Sequence, residues 1–445
     1  MSSSIELSVF DQWIPSSYIS MLHVYPIDPA KVQARLHEIH SQLTKSLQDL
    51  CSPSNYPWLA GTVQNGTHID VPATPATPAI YLRDYSATDA DLAGFSNGDM
   101  DGHSFSQNYV SPDPVNPMGP NAPVLFAQLT AIRDAVVLCI SIHHQTADAH
   151  GFSKVINAWA LLSRTGSVAK LDNDRAKIGA GRPPVANPPD PVPLYHRAPG
   201  LFGWEGSNLE GVRTLTLFYS GEELAKIKEA AQPDTGLQIS TRDALTAHIW
   251  RCLSKTEGAG AQFSGDEKVS FGVAADVRCR ASPKIPDEYV GCCITYTVAR
   301  DLSLAKLISD ADNEGLKYAA EEVRKAVTKL TPALVDHTVG WFKTGKEEGW
   351  LGALSPGWEQ GKSPVPDYSE SDWSRNALYE ADFGFGRPAL VVPPKVFALP
   401  GLIITTCAPP ALSKDGKGIL LYVHLTAKQY LHLGPGGDMK NILHF

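Results

Sequence analysis

The sequence predicts a mixed α/β fold built in two halves of similar size. Three observations carry this prediction. Helix-period stretches and strand-like stretches alternate along the chain. A proline-dense stretch, residues 181–200 (GRPPVANPPDPVPLYHRAPG), divides it near the middle. The length of 445 residues is more than a single core usually fills.

The elements follow in order. Residues 28–50 read as a helix: Asp28 can cap it, Pro29 suits the first turn, and Val32, Leu36, Ile39, Leu43, Leu47 and Leu50 recur at helical spacing. Residues 62–123 are rich in Pro, Asn, Asp and Gly and read as long loops with brief strand-like pieces such as Ala79–Leu82. Pro123–Ile132, the turn Arg133-Asp134 and the apolar run Ala135–Ile142 read as a hairpin, the second strand interior and apolar on both faces. A helix at about residues 149–163 carries Phe152, Val155, Ile156, Trp159 and Leu162 on one stripe. Residues 181–212 are expected to be a crossover without regular structure, between an N-terminal domain (1–180) and a C-terminal domain (213–445).

Beyond the crossover, Thr214–Tyr219 looks like a strand. Ser220-Gly-Glu-Glu223 is a capping box, and Ser240-Thr241 caps a further helix. Lys268–Asp276 and Cys292–Val298 read as strands, 303–344 as largely helical and 345–372 as loop. Gly401–Cys407 and Gly418–Leu425 read as a second hairpin, after which Thr426 caps a short helix.

Composition excludes several classes. With 38 Lys and Arg against 47 Asp and Glu, the net charge is −9, which lacks the footprint that phosphate backbones select for. Nucleic acid is therefore not an expected partner. Hydrophobic residues at 43% are enough for a large core, so disorder is not the main state. No apolar run is long enough to span a bilayer, and Met1 to Ser20 has no apolar signal-type core, so no membrane partner is expected. Seven cysteines, mostly in apolar context, read as reduced thiols of a cytoplasmic protein.

The densest chemical signal is Ser141-Ile-His143-His144-Gln-Thr-Ala-Asp148-Ala-His150-Gly151, where the interior strand gives way to a helix. A strand end fixes a residue rigidly while the turn exposes it. Three readings compete here. Asp148 caps the helix while the histidines merely pack. Alternatively, His144, Asp148 and His150 hold a metal, although the spacing matches no strong metal signature. In the third, one histidine is a general base, since neutral imidazole can take a proton from a hydroxyl or amine. A second segment, Asp382-Phe-Gly384-Phe-Gly386, puts two glycines around an aromatic residue, as a backbone of unusual dihedrals requires. Asp382 there reads as a fold contact.

His143–Asp148 (HHxxxD) and Asp382–Gly386 (DFGFG) together resemble the BAHD superfamily of acyl-CoA-dependent acyltransferases, whose pattern is HxxxD(G) in mid-chain and DFGWG near the end. Pro57-Trp-Leu-Ala-Gly61, the Ser240–Trp250 helix, Asp276-Val-Arg278-Cys-Arg280 with Pro286 and Tyr289-Val-Gly291, and Ser371-Asp-Trp373-Ser-Arg375 resemble further family segments in the same order. Leu7–Gln12 looks most like the fungal branch that includes trichothecene 3-O-acetyltransferases.

The resemblance implies two chloramphenicol-acetyltransferase-like domains, an active-site channel at their interface, and a monomer. It implies transfer of an acyl group, acetyl foremost, from acyl-CoA to a hydroxyl of a small, mostly apolar alcohol, with no permanently bound cofactor. By resemblance, His144 is the catalytic base, and Asp148 points away from the site to pair with an arginine, Arg278 by position. Ser240, Thr241, Arg278, Arg280, Trp373 and Arg375 are the implied CoA-binding residues. Asp382, Gly384 and Gly386 form the implied structural motif. Ala149, Phe385 and Cys292 stand where the family pattern has Gly, Trp and often Asn. A condensation-type enzyme taking acyl groups from a carrier protein, and an inactive CoA- or metabolite-binding relative, are the alternatives.

Overall fold

The computed structural model describes residues 2–88, 90–92, 109–110, 115–119, 121–187, 195–197, 212–258, 267–356, 368–394, 401–426 and 429–430. Among these residues the two largest sheets each have their own core.

The first sheet has five strands in the order Leu390–Val392, Tyr18–Pro26, Ala135–His143, Leu125–Ile132 and Ile80–Asp84. Its central strand, Ala135–His143, is buried at every position, as its unbroken β-favouring run predicts. It pairs antiparallel with Leu125–Ile132 through the turn at Arg133-Asp134. On its other side Tyr18 lies opposite His143. The helices Val32–Leu50 and Ala149–Thr165 bury their apolar stripes in the same core. They are joined by a bond from Trp159 Nε1 to Ser46 Oγ (3.0 Å).

The second sheet has six strands in the order Arg213–Tyr219, Ile419–Leu425, Leu402–Cys407, Tyr368–Asp372, Lys268–Asp276 and Ile294–Ser303. Tyr368–Asp372 pairs parallel with both of its neighbours, and the remaining pairs are antiparallel. Helices Thr241–Gly258 and Glu314–Thr328 add Leu245, Ile249, Leu316 and Val323 to its core. A third apolar cluster is separate from these two cores. It joins Phe10 and Trp13 from the N-terminal stretch to Val277, Tyr289, Cys292, Cys293 and Phe342.

Several expectations need correction. Tyr18–Pro26 is a further interior strand, without a clear sequence signal: it is buried on both faces, so it shows no alternation, and it holds the polar Ser20 and His23 in its interior. The stretch 62–123, read as loops, contributes Thr62–Gln64, His68–Val71 and Ala122–Pro123 to a small sheet with Ser3–Glu6. Residues 345–372, read as loop, contain Leu354–Pro356 and Tyr368–Asp372. The latter is polar in sequence because Glu370, only 2% exposed, is buried against Arg242. The strand expected from Cys292 begins at Ile294, because Cys292 and Cys293 are spent on the seam described below. Within the proline-dense stretch, the proline-free Tyr195–Arg197 pairs with Leu354–Pro356; most of 188–211 lies outside the described residues. Finally, Leu390–Val392 joins the first sheet, and Trp373, Leu378, Tyr379 and Phe383 pack in the first core although they come late in the chain.

Candidate active site at the seam of the two sheets

The central strand of the first sheet ends at His143, and the helix starting at Ala149 follows after a tight turn. The turn closes through Thr146, whose N–H (2.8 Å) and Oγ1 (2.7 Å) both donate to the His143 carbonyl. His144 sits at its apex, half-buried. Its N–H donates to the Ser17 carbonyl (2.7 Å), and its own carbonyl accepts from Cys292 Sγ (3.0 Å).

The ring's protonation pattern follows from its partner. His144 Nδ1 lies 3.2 Å from the Ala147 carbonyl, which can only accept, so Nδ1 carries the hydrogen and Nε2 keeps a lone pair. Burial lowers the His144 pKa below its ordinary value; Asp148 and the Ala147 carbonyl oppose this in part. The imidazole is therefore neutral near pH 7.

His143 is wholly buried and differently tied. Its Nε2 donates to the Pro117 carbonyl (3.1 Å) and its Nδ1 accepts from the Gln145 N–H (3.3 Å). Its ring meets Tyr18 edge-on at 5.3 Å. With both nitrogens spent, His143 orders the turn and has no lone pair left for chemistry.

Asp148 caps the helix by accepting from the Gly151 N–H at 2.9 Å. The same carboxylate receives two parallel bonds from Arg278, Nη1 to Oδ2 (2.8 Å) and Nη2 to Oδ1 (2.9 Å), and one from the Cys293 N–H (2.8 Å). Capping and pairing are thus done by one side chain. Burial alone would push this carboxyl up; the Arg278 charge and hydrogen bonds, with the two amides, hold it below the usual carboxylate range. Arg278 also donates to the Tyr289 and Gly291 carbonyls and to Asp276, so its N–H groups are all engaged in the seam.

Gly151 is required by a close approach. A Cβ built there would lie 1.9 Å from the Val290 carbonyl oxygen. The helix N-terminus and the 289–293 segment therefore touch backbone to backbone.

His144, Asp148 and His150 do not converge. Asp148 turns to Arg278, and His150 Nε2 to the Asp287 carbonyl (2.8 Å). Among the described residues no three His, Cys, Asp or Glu side chains surround a common point that could hold a metal.

The remaining residues singled out in the sequence lie elsewhere. Ser240 donates its hydroxyl to Asp243 Oδ2 (2.7 Å) and accepts from the Asp243 N–H (3.1 Å), a capping box in which Asp243 also pairs with Arg324. Thr241 is exposed beside it. Arg280 donates to the Val327 carbonyl at 3.3 Å, and Arg375 is exposed. Trp373 is buried, its Nε1 on Ser371 Oγ (3.0 Å) and its ring against Phe152. Asp382 Oδ1 accepts from the N–H groups of Gly384 (2.8 Å) and Gly386 (3.1 Å), and both glycines take φ +106, a region that side chains disfavour. The Phe383 carbonyl accepts from Ser163 Oγ (2.9 Å), near the far end of the Ala149–Thr165 helix. At 1.5 Å of rise per residue that is about 22 Å from Asp148.

Two residues of the seam had no role in the sequence reading. Asp11 is wholly buried, and its Oδ1 accepts from Arg175 Nη1 (2.9 Å) and from the Cys292 N–H (2.8 Å). Arg175 Nη2 donates to the Thr146 carbonyl at 2.7 Å. A local sequence signal for Asp11 is the Ser8-x-x-Asp11 capping pattern, which is present as a capping box.

The Transferase family model matches residues 1–433. The fold is similar to F. sporotrichioides TRI101 complexed with coenzyme A and T-2: the TM-score is 0.79, identity 22%, and the match covers 99% of this chain and 98% of that chain. Vinorine synthase is similar at TM-score 0.65 and 17% identity, over 96% of this chain and 91% of that one. In sequence, the chain is 27% identical over 316 residues to agmatine hydroxycinnamoyltransferase 1 of Oryza sativa subsp. japonica, covering 67% of this chain and 66% of the relative. It is 23% identical over 429 residues to a limonoid 1-O-acetyltransferase of Citrus sinensis, covering 95% of this chain and 90% of that one. The chain spans slightly less than two thirds of the length of several hydroxycinnamoyl- and benzoyltransferases it matches. With the Transferase model spanning nearly the whole sequence, the chain belongs to the BAHD family of acyl-CoA acyltransferases.

Proposed function

We propose that the protein transfers an acyl group, acetyl foremost, from acyl-CoA to a hydroxyl of a small, mostly apolar acceptor, with His144 as general base. The observation that carries this is the half-buried His144 ring, its Nδ1–H spent on the Ala147 carbonyl and its Nε2 lone pair free at the seam. A base must be neutral and aimed, and burial supplies the first while the turn supplies the second.

The acceptor hydroxyl gives its proton to Nε2 as its oxygen attacks the thioester carbonyl. The tetrahedral intermediate then expels the CoA thiolate by breaking the C–S bond, and the imidazolium returns the proton to sulfur. Base catalysis of this kind contributes about 10²–10⁴-fold, and holding the two substrates in line supplies much of the rest. Asp148 and Arg278 are assigned to positioning: their pair anchors the turn that presents His144. Ser240, Thr241, Arg280, Trp373 and Arg375 are assigned to the CoA side, where the exposed Thr241 and Arg375 offer donors to phosphate.

An amine acceptor is the second reading. It is favoured by relatives named for agmatine and tryptamine. A panel decides between them: acetyl-, benzoyl- and coumaroyl-CoA, each with deoxynivalenol, T-2 toxin, agmatine and tryptamine, read by free thiol and by product mass. Thiol release with an acetylated alcohol supports the first reading, and acylated amine alone supports the second. No turnover despite a CoA-induced rise in melting temperature would sink both and leave a binding protein.

A further inference from the structure

Two buried ion pairs bracket the catalytic turn, and only one belongs to the motif. Asp148–Arg278 holds its helix end. Asp11–Arg175 holds its middle, with both side chains almost free of solvent exposure.

The second pair reaches His144 by two routes. Arg175 Nη2 fixes the Thr146 carbonyl, two residues beyond His144. Asp11 fixes the Cys292 amide (2.8 Å), and Cys292 Sγ in turn donates to the His144 carbonyl (3.0 Å). Arg175 cannot easily swing away. Asn173 Oδ1 accepts from its Nε (2.9 Å) and Nη2 (2.6 Å), and the Trp58 and Tyr289 rings flank it at 5.9 Å each. Asp11 Oδ2 is held by the Ser8 N–H (2.8 Å) and Oγ (2.6 Å).

A buried ion pair is a poor way to add stability, because desolvating two charges offsets most of their attraction; apolar residues of the same volume serve as well. Direction is what charge adds here: three donors are aimed at three fixed acceptors around one turn. We propose that Asp11 and Arg175 are positioning residues for the transfer reaction, locking the His144 turn to the Cys292 segment across the seam. This rests on the reading of His144 as the base.

The groups facing the turn are Asp11 and Arg175 on one side, Asp148 and Arg278 on the other, with His143, Tyr289, Cys292 and Cys293 between them. Removing the Asp11 charge therefore withdraws an anion that favours protonated His144. The test compares Asp11→Asn and Arg175→Lys with the wild type and with His144→Ala, using the best donor and acceptor of the panel above. For both variants kcat is expected to fall about 10- to 100-fold, with KM for the acyl-CoA within about twofold of wild type. The acid limb of kcat/KM is expected to move to lower pH in Asp11→Asn and to stay in place in Arg175→Lys, which keeps its cation. Wild-type kcat with an unmoved limb in Asp11→Asn, or a loss confined to KM, overturns the proposal. Folding is read from the CoA-induced rise in melting temperature; if Asp11→Asn does not fold, the kcat-against-KM split of Arg175→Lys decides alone. Activity in His144→Ala sinks the base itself. An inactive His144→Ala beside an unimpaired Asp11→Asn sinks only the positioning role.

Discussion

Asp148 and Arg278, 130 residues apart in sequence, meet through two parallel N–H···O bonds of 2.8 and 2.9 Å across the seam between the two sheets. The carboxylate is 1% exposed and the guanidinium side chain 5%. Removing one partner leaves the other charge buried and uncompensated. Arg278→Met is therefore expected to cost about 3–5 kcal/mol in stability. Urea unfolding measures it, and a loss below about 1 kcal/mol would show that water already reaches the pair.

Gly151 makes the seam intolerant of even a methyl group. The Val290 carbonyl oxygen would lie 1.9 Å from the new Cβ, and that oxygen belongs to backbone rather than to a side chain that could turn away. Gly151→Ala is expected to lose about 1–3 kcal/mol from overpacking, and to reduce turnover at least about tenfold by displacing the turn. Thermal melting and thiol-release assays on the same preparation check the two effects.

Three buried histidines make stability depend on mildly acidic pH. His23, His143 and His424 each have a pKa lowered to about 4, with desolvation the leading cause. Unfolded, each binds a proton near 6.5, so the unfolded chain takes up more protons than the native one between those values. Stability is full above about pH 6.5 and falls as pH drops towards 4, by about 1.4 kcal/mol per pH unit for each histidine. Asp148, whose pKa is depressed, adds its own loss only further into acid, below the ordinary carboxylate range. Melting curves from pH 8 to pH 4.5 should show a plateau and then a steep decline. A flat profile down to pH 5 would contradict the burial of these rings.

The cysteines differ sharply in reach. Cys279 is exposed and Cys407 partly so, while Cys51, Cys139, Cys252, Cys292 and Cys293 are buried. Burial pushes the Cys51, Cys139 and Cys252 thiols up to about 12, leaving almost no thiolate at neutral pH. Titration of native protein with an aromatic disulfide should give one fast thiol, abolished by Cys279→Ser, with the buried set appearing only in denaturant. Fast labelling of Cys292 would mean that the seam opens readily.

What could be read from sequence was what is local. The stripe of the Val32–Leu50 helix, the interior strand ending at His143 and the cap at Asp148 each depend on neighbours a few residues away, so spacing reveals them. The His144 turn was visible for the same reason. Asp11 and Arg175 were not, because their partners lie 164 positions apart and no periodicity links them. Tyr18–Pro26 was hidden because a strand buried on both faces has no alternation, and Tyr368–Asp372 because its polar residues are paired inside the fold. The Asp148–Arg278 pairing is legible only through the family resemblance, since 130 positions separate the two residues.

His144 Nε2 is proposed to take the acceptor's proton. The most direct test is His144→Ala assayed for thiol release from acetyl-CoA with the best acceptor, alongside the CoA-induced shift in melting temperature. The variant should keep the shift, since the bond that the His144 ring makes to the Ala147 carbonyl lies within the turn itself, and turnover should fall at least about 100-fold. Near-wild-type turnover in a variant that still binds CoA would mean that another group takes the proton.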